Sequence, residues 1–166
     1  FPKRYLFSNT SDDENFLIIG ESEGTSGNML YFKDLRNLDS DFISINSDFK
    51  NDHHFSENIG ENLYFFTNLE ASNNKLIQVN SSNPTQDNWQ DVIPNHGKNV
   101  LQSVNFVGGK MFVKYMQDAY HKIYQYSLDG EYEKQIEMPS IGSIGGFNGD
   151  IEDEETYYTF NSFTYP

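Results

Sequence analysis

The feature that most constrains the fold is a repeat of 46 to 48 residues along the chain. One set of apolar residues recurs at intervals of 46 and 47: Leu30, Leu76 and Ile123. A second set, from the preceding apolar segment of each repeat, recurs at intervals of 47, 48 and 46: Phe16, Leu63, Met111 and Tyr157. Four short strands in about 45 residues is the period of a β-propeller blade, whose two faces are covered by neighbouring blades. The repeat therefore predicts an array of propeller blades.

The segments within each repeat have the composition of β-strands. Aromatic residues make up 16% of the chain, with 14 Phe, 11 Tyr and one Trp, and such residues favour pleated, covered surfaces. The links Gly60-Glu61, Gly108-Gly109 and Asp129-Gly130 are typical of tight hairpin turns. The continuous apolar run Phe16–Ile19 indicates a strand covered on both faces, because a half-exposed strand would alternate. We therefore predict an all-β fold of antiparallel hairpins, with the aromatic residues packed between blades.

The repeat predicts about three four-stranded antiparallel blades and the start of a fourth. Their approximate bounds are 4–46, 53–94, 98–138 and the incomplete 141–166, within one partial β-propeller domain over residues 1–166. Closed propellers have at least about four blades. Open end blades would expose apolar faces and strand edges. We therefore expect the chain either to be part of a longer one or to self-associate through its open blade ends.

The charge balance excludes two classes of partner. Lys and Arg number 11 against 25 Asp and Glu, which gives a formal net charge of −14. A phosphate backbone or an anionic membrane surface would be repelled, so we expect no nucleic-acid and no membrane partner. The acidic excess is interpreted as solvated loops, with a preference for cationic ligands as the alternative.

The chain has no cysteine, which excludes disulfides and cysteine nucleophiles but leaves the compartment open, cytoplasmic or periplasmic.

Residues 20–24 match G-x-S-x-G, the pattern of a nucleophile elbow with Ser22 at its centre. An elbow requires a helix directly after the serine, because the turn and its backbone donors come from that junction. Here glycine and serine residues lead into the apolar, aromatic run Met29–Phe32, which is typical of a strand. The stretch is therefore predicted to be a hairpin turn, and no residue of this chain is predicted to be catalytic.

The other residues capable of site chemistry give one candidate. His53 and His54 are neighbours on a predicted strand, so their side chains point to opposite faces and cannot share a metal or a serine. The acidic residues between 150 and 155 lack the alternating ligands and glycine of an EF-hand loop and are interpreted as a solvated turn. His121 ends the loop that is equivalent to the Ser22 turn, and it is retained as a candidate ligand contact. No metal and no cofactor are predicted.

Four longer stretches of the chain have a distinctive sequence. They are SDDENFLIIGESEGTSGNMLYFKDL, ENLYFFTNLEASNNKLIQVN with DNWQDVIP behind it, VLQSVNFVGGKMFVKYMQDAYHKIYQYSLDG, and GSIGGFNGDIEDEETYYTFNSFTYP. Together they resemble the propeller of the prolyl oligopeptidase family of serine peptidases. The resemblance covers about Ser11 to Pro166, and its most specific motifs are the SEGTSGN turn and the terminal FTYP.

The resemblance implies a seven-bladed propeller joined to an α/β-hydrolase peptidase domain that cleaves short peptides after proline. This chain would be the later half of such a propeller, ending in mid-blade. The Ser, Asp and His triad of the family would lie in the peptidase domain, outside this chain. The implied partners are that peptidase domain and short proline-containing peptides.

The resemblance also makes the turn at Ser22, Glu23, Gly24 and Thr25 a candidate for the face between the domains. In well-studied members the equivalent turn faces the peptidase domain and places an arginine and a cysteine beside the substrate. Here Ser22 and Thr25 occupy those positions, and a hydroxyl cannot supply the planar, charged, bidentate donor of a guanidinium. Position at the domain interface is therefore expected to be kept, while a charged contact with the peptide is not.

Three hypotheses for function follow. The first is a non-catalytic propeller segment that caps the active site of a prolyl oligopeptidase-like enzyme and filters its substrates. The alternative is a stand-alone propeller-type interaction module without peptidase activity. The third is an autonomous serine hydrolase that uses Ser22.

Overall fold

The computed structural model describes residues 3–163 of the 166-residue chain. It divides into two compact units, with the boundary between Pro94 and Asn95. The end of the predicted fourth blade, including the last three residues of the terminal FTYP motif, 164–166, lies outside the described residues. In the described part, no helix is long and apolar enough to span a membrane.

The first unit consists of two antiparallel four-stranded sheets, each ordered as its strands occur in the chain. The first sheet contains β1 (Tyr5–Thr10), β2 (Phe16–Ser22), β3 (Asn28–Asp34) and β4 (Ile43–Asn46). The second contains β5 (His53–Ile59), β6 (Asn62–Thr67), β7 (Lys75–Asn80) and β8 (Gln90–Ile93). Successive strands are neighbours because their connections are short enough for hairpins. The predicted all-β fold is thus confirmed.

The second unit consists of one four-stranded sheet and one two-stranded sheet, both antiparallel. The four-stranded sheet contains β9 (Val100–Val107), β10 (Lys110–Gln117), β11 (Tyr120–Ser127) and β12 (Tyr132–Ile136). The two-stranded sheet contains β13 (Ser143–Asn148) and β14 (Tyr157–Asn161).

Two hairpins of the second unit show how local sequence sets the turns. The β9–β10 link is Gly108-Gly109, with φ of +60° and +67°, as the tightest hairpin turns require. The β10–β11 link takes the same conformation with Asp118 and Ala119, at φ of +47° and +64°. Alanine is strained in this region because its Cβ approaches the following carbonyl. The predicted glycine turn is therefore present, and a second tight turn forms without glycine.

The core of the first unit lies between its two sheets. Alternate side chains of β2 and β3 face the second sheet and are almost fully buried, as are the facing side chains of β6 and β7. The buried members of this cluster are Phe16, Ile18, Leu30, Phe32, Ile45, Leu63, Phe65, Ile77 and Val79. Each large apolar side chain buried here contributes about 1.5–3 kcal/mol, so the cluster dominates the stability of the unit.

The expectation that the strands are covered on both faces is met in β6 but not in β2. In β6 the consecutive residues Leu63, Tyr64 and Phe65 are all buried. In β2, Phe16 and Ile18 are buried, whereas Leu17 and Ile19 on the opposite face are only half-buried. β1 is exposed along its whole length. The outer face of the first sheet is therefore a partly exposed apolar surface, although self-association through it remains a prediction.

Polar side chains join the two sheets of the first unit at the end that holds the β1–β2 and β5–β6 turns. Asn58 on β5 donates from Nδ2 to the Asp13 carboxylate at 2.7 Å. Arg36 donates to the carboxylate of Asp34, two residues before it in the chain, and to that of Glu61, 25 residues after it. These contacts connect one sheet to the next outside the apolar core.

The core of the second unit lies between its two sheets. Ile123, Ile144 and Phe147 are buried there, and Phe112 stacks on Phe147 with ring centroids 4.8 Å apart. The other face of Phe147 stacks on Tyr158 of β14 at 5.2 Å. The two-stranded sheet is thus held against the larger one by one sandwiched aromatic ring and its aliphatic neighbours.

Candidate functional site

The β2–β3 turn, residues 22–28, has an exposed tip and a buried base. Residues 23–26 form the tip and are exposed, whereas Gly27 and Asn28 form the base and are buried. Ser22 is half-buried and pairs with Asn28 at the ends of the two strands. The element after the turn is strand β3, so Ser22 lacks the helix that a nucleophile elbow needs. All four predicted interface residues, Ser22, Glu23, Gly24 and Thr25, therefore lie together in one hairpin turn.

Gly27 fixes the base of the turn against the loop that leads into β5. Its φ of +75° is a conformation that residues with a Cβ rarely adopt. Its N–H donates to Asp52 Oδ1 at 2.7 Å, and a Cβ built on Gly27 would lie 1.8 Å from the carbonyl oxygen of Phe49. Only glycine permits this close approach of the two backbones.

Asn28 completes the base by bonding to the backbone of the next sheet. Its Oδ1 accepts the N–H of His53 at 2.7 Å, and its Nδ2 donates to the carbonyl oxygen of His53 at 2.8 Å. The backbone N–H of Asn28 donates to the carbonyl of Asn51 at 3.0 Å. One amide side chain thus satisfies both backbone groups of a residue in the first strand of the second sheet, and it anchors the turn there.

Arg4 holds the tip from the side, and sequence reasoning missed it. Its guanidinium donates to Glu21 Oε2 at 2.8 Å and to Glu23 Oε1 at 2.9 Å. The same group lies over the ring of Phe49, 5.0 Å from the centroid. These contacts raise the pKa of Arg4, chiefly through the hydrogen bond to Glu21. The negative charges nearest the tip are therefore paired, and the remaining polar side chains of residues 22–26 are the hydroxyls of Ser22, Thr25 and Ser26.

His53 lies beneath the turn and is buried as a neutral ring. Its side chain is 1% exposed and packs edge-on against Trp89, with ring centroids 6.3 Å apart. Among the residues that the structure describes, its Nδ1 has no hydrogen-bond partner. Burial lowers the pKa of His53 to about 4, despite the carboxylates of Asp52 and Asp48, which act in the opposite direction. His54 is exposed, as expected from its opposite direction on the strand.

The remaining candidate, His121, lies in the second unit and is engaged in a structural contact. Its ring Nδ1 accepts the backbone N–H of Ile144 at 2.8 Å. The backbone N–H of His121 donates to the carbonyl of Gly142 at 3.1 Å. A cavity of about 320 Å³ lies nearby, but its walls come from residues 119–120, 141–143 and 161–163. His121 is not part of that wall, so its ligand contact remains a prediction.

The acidic segment between β13 and β14 forms a turn that is tied to the β9–β10 hairpin. The N–H groups of Gly108 and Gly109 donate to the carbonyls of Asp150 and Ile151 at 3.1 and 2.8 Å. The Asp153 carboxylate accepts the N–H of Asp150 at 2.8 Å. Within residues 3–163, no group of three or more His, Cys, Asp or Glu side chains is placed to hold a metal ion.

Comparison with known proteins identifies the family. The family model of the prolyl oligopeptidase N-terminal β-propeller domain matches residues 1–166. The chain belongs to this family. The predicted resemblance is therefore confirmed, and so is the prediction of a partial β-propeller.

The relatives are longer than this propeller segment. Prolyl endopeptidase of Elizabethkingia meningoseptica is 34% identical over 166 residues, which is 100% of this chain and 23% of that protein. A chain from a structural study of two prolyl endopeptidases superposes with a TM-score of 0.90 at 24% identity, covering 98% of this chain and 24% of that one. Prolyl oligopeptidase B from Galerina marginata, without ligand, gives a TM-score of 0.86 at 23% identity, covering 98% of this chain and 23% of that one. The structural likenesses establish the fold, and the chain spans about a quarter of each relative.

The close approach at Gly27 leads to a prediction about stability. We expect Gly27→Ala to lower the free energy of unfolding by about 2–4 kcal/mol, because it combines an unfavourable positive φ with a clash against a backbone carbonyl. Gly24 is the matched control in the same turn, since a Cβ there would meet nothing within 4 Å. We expect Gly24→Ala to change stability by less than about 0.5 kcal/mol. Urea unfolding curves measure both, and equal losses for the two variants would contradict this account of the base.

The buried neutral ring of His53 leads to a prediction about pH. The unfolded chain binds a proton at this residue near pH 6.5, whereas the folded chain binds it only near pH 4. The free energy of unfolding should therefore decrease as the pH falls from about 6.5 to 4, by about 3 kcal/mol in total from this residue. Unfolding curves at several pH values should show this slope reduced in His53→Phe and retained in the exposed control His54→Gln. A slope that is unchanged in His53→Phe would contradict it.

Proposed function

We propose that this chain is a non-catalytic propeller segment of a prolyl oligopeptidase-type serine peptidase, and that its β2–β3 turn faces the peptidase domain of the same protein. Membership of the family supports the first part, because the matching family model describes a propeller domain. The second part is supported by the form of the turn, which combines an exposed tip with a base fixed by Gly27 and Asn28.

The activity proposed for the whole protein is cleavage of short peptides after proline by a serine nucleophile. The curated relatives at 34% identity are called prolyl endopeptidases, and this chain corresponds to 23% of their length. The nucleophile and its partners are assigned to a peptidase domain that this chain does not include. The turn at Ser22 agrees with that assignment, since it leads into strand β3 and not into the helix that a nucleophile elbow needs.

The role proposed for this segment is to cap the active site and restrict what reaches it. A propeller over the catalytic groups would exclude folded proteins and bulk water, while short, flexible peptides could still enter. Such a cap works best when the surface facing the substrate is already ordered, because ordering it during binding would cost free energy. The contacts of Arg4, Gly27 and Asn28 supply that order before any peptide is bound.

The chemistry of the tip favours neutral hydrogen bonding over charge recognition. Thr25 and Ser26 in the tip, and Ser22 beside it, each carry a hydroxyl, which both donates and accepts. Glu23 is paired with Arg4, so its charge is partly compensated. A peptide carbonyl or amide beside this turn would therefore meet weak, adaptable partners. We expect contacts at these positions to adjust affinity modestly and to take no part in the bond-breaking step.

This view predicts where activity resides. In the full-length protein, we expect Ser22→Ala to retain most of the turnover of a proline-containing chromogenic peptide, with less than a tenfold change in kcat/KM, which is the scale of one lost neutral hydrogen bond. The isolated 166-residue chain should show no turnover. Turnover by the isolated chain, or loss of activity by several orders of magnitude in Ser22→Ala, would support an autonomous hydrolase instead. An inactive full-length protein would favour the stand-alone interaction module.

The location of the turn can be tested separately from catalysis. The chain has no cysteine, so Thr25→Cys introduces a single thiol into this segment. Ser82 is also exposed and follows β7 in the second sheet, at the end of that sheet that holds the β5–β6 turn. Ser82→Cys is therefore the matched control. In the full-length protein we expect alkylation at position 25 to be at least tenfold slower than at position 82, because the peptidase domain would shield it. Equal rates would contradict a turn that faces that domain.

A further inference from the structure

Asn28 and His121 occupy equivalent places in the first and third repeats of the same architecture. Each lies two residues before a fully buried aliphatic residue of the third strand in its sheet, Leu30 and Ile123 respectively. Each side chain bonds to the first strand of the sheet that follows. Asn28 Oδ1 accepts the N–H of His53 on β5, and His121 Nδ1 accepts the N–H of Ile144 on β13. The two bonds are 2.7 and 2.8 Å long.

The two acceptors differ in one chemical property. An amide oxygen accepts a hydrogen bond over the whole range of physiological pH, whereas Nδ1 of imidazole accepts only while the ring is neutral. Once His121 is protonated, its Nδ1 carries a proton and faces the N–H of Ile144 as a second donor. The contact then changes from an attraction to a repulsion. Replacement of asparagine by histidine at this position therefore makes the link between two sheets dependent on pH.

We propose that His121 is a pH-sensitive clasp that holds the β13–β14 hairpin against β11 while neutral and releases that end of the hairpin when protonated. The surroundings disfavour the charged ring. Lys114 of β10 is the charged group that faces it, β13 carries no ionisable side chain, and Lys122 is its neighbour on its own strand. Burial and then Lys114 lower the pKa of His121 below its ordinary value of 6.5.

The lowered pKa of His121 sets the sign of the pH dependence. A histidine whose pKa is lowered by folding is neutral in the folded chain at pH values where it is protonated in the unfolded chain. The contribution of the clasp is therefore complete above about pH 6.5 and is lost as the pH falls below that value. The proposal thus applies to mild acidification.

The release is expected to be local, because the far end of the hairpin has independent anchors. Asn105 on β9 donates from Nδ2 to the carbonyls of Gly146 and Phe147 at 3.2 and 3.0 Å. None of these groups titrates near neutral pH. The ring of Phe147 also remains sandwiched between its aromatic neighbours. Opening would therefore begin at the Gly142–Ile144 end and leave the rest of the hairpin in place.

Hydrogen exchange tests the proposal directly in the full-length protein. On lowering the pH from 8 to 5, we expect the protection factor of the Ile144 amide to fall about tenfold relative to that of Val113, an amide in the middle of β10. In His121→Asn, which restores the residue found at the equivalent position 28, this dependence should vanish. His96→Asn, in the same unit, is the control and should behave as the wild type does.

Two results would overturn the proposal. One is a wild-type protein in which the Ile144 amide keeps its protection relative to Val113 down to pH 5. The other is an identical loss of protection in wild type and His121→Asn, because the titrating group would then be elsewhere. His53 also loses its contribution to stability within this pH range, but it belongs to the first unit. Because Ile144 and Val113 both belong to the second unit, the ratio of their protection factors cancels any change that the two amides share. The test does not depend on the peptidase activity proposed above.

Discussion

The fold depends on one constraint: each sheet has apolar side chains on its faces, and a four-stranded sheet cannot bury them alone. In the first unit the solution is a second sheet laid against the first, with Phe16 and Leu63 among the side chains that become fully buried between them. Aromatic and aliphatic packing of this kind has no preferred direction, so it does not by itself set the alignment of the sheets. The alignment is set by a few polar side chains at the sheet ends, such as Asn28 and Asp13, which bond to groups on the next sheet.

The regular part of this architecture could be predicted from the sequence. The spacing of Leu30, Leu76 and Ile123 indicated the repeat, because the same buried position must be filled once in each sheet. Glycine pairs indicated the hairpins, and the antiparallel order of strands follows from their short connections. The turn at Ser22 was also predicted as a hairpin, since the run that follows it is typical of a strand. These features are encoded locally or by a fixed period, so a single sequence is enough to find them.

The contacts that fix the candidate site could not be predicted in the same way. Arg4 meets Glu23 across 19 residues, and Asn28 meets His53 across 25. Predicting these two contacts requires the register of β1 on β2 and the placement of one sheet on another. Hydrophobic periodicity predicts neither of them. The strain at Ala119 was missed for a related reason, because alanine carries no turn signal. Periodicity also overstated the burial of β2, whose second face is covered less than that of β6.

The division of the β2–β3 turn into a fixed base and an open tip has a consequence for how such a surface can diverge. Gly27 and Asn28 hold the geometry, while a Cβ added at Gly24 meets no neighbouring atom within 4 Å. Mutations at the tip are therefore nearly free of folding cost, whereas mutations at the base are not. A lineage can replace the chemistry at positions 22 to 25 step by step, exchanging charged groups for hydroxyls, without losing the position from which that chemistry acts.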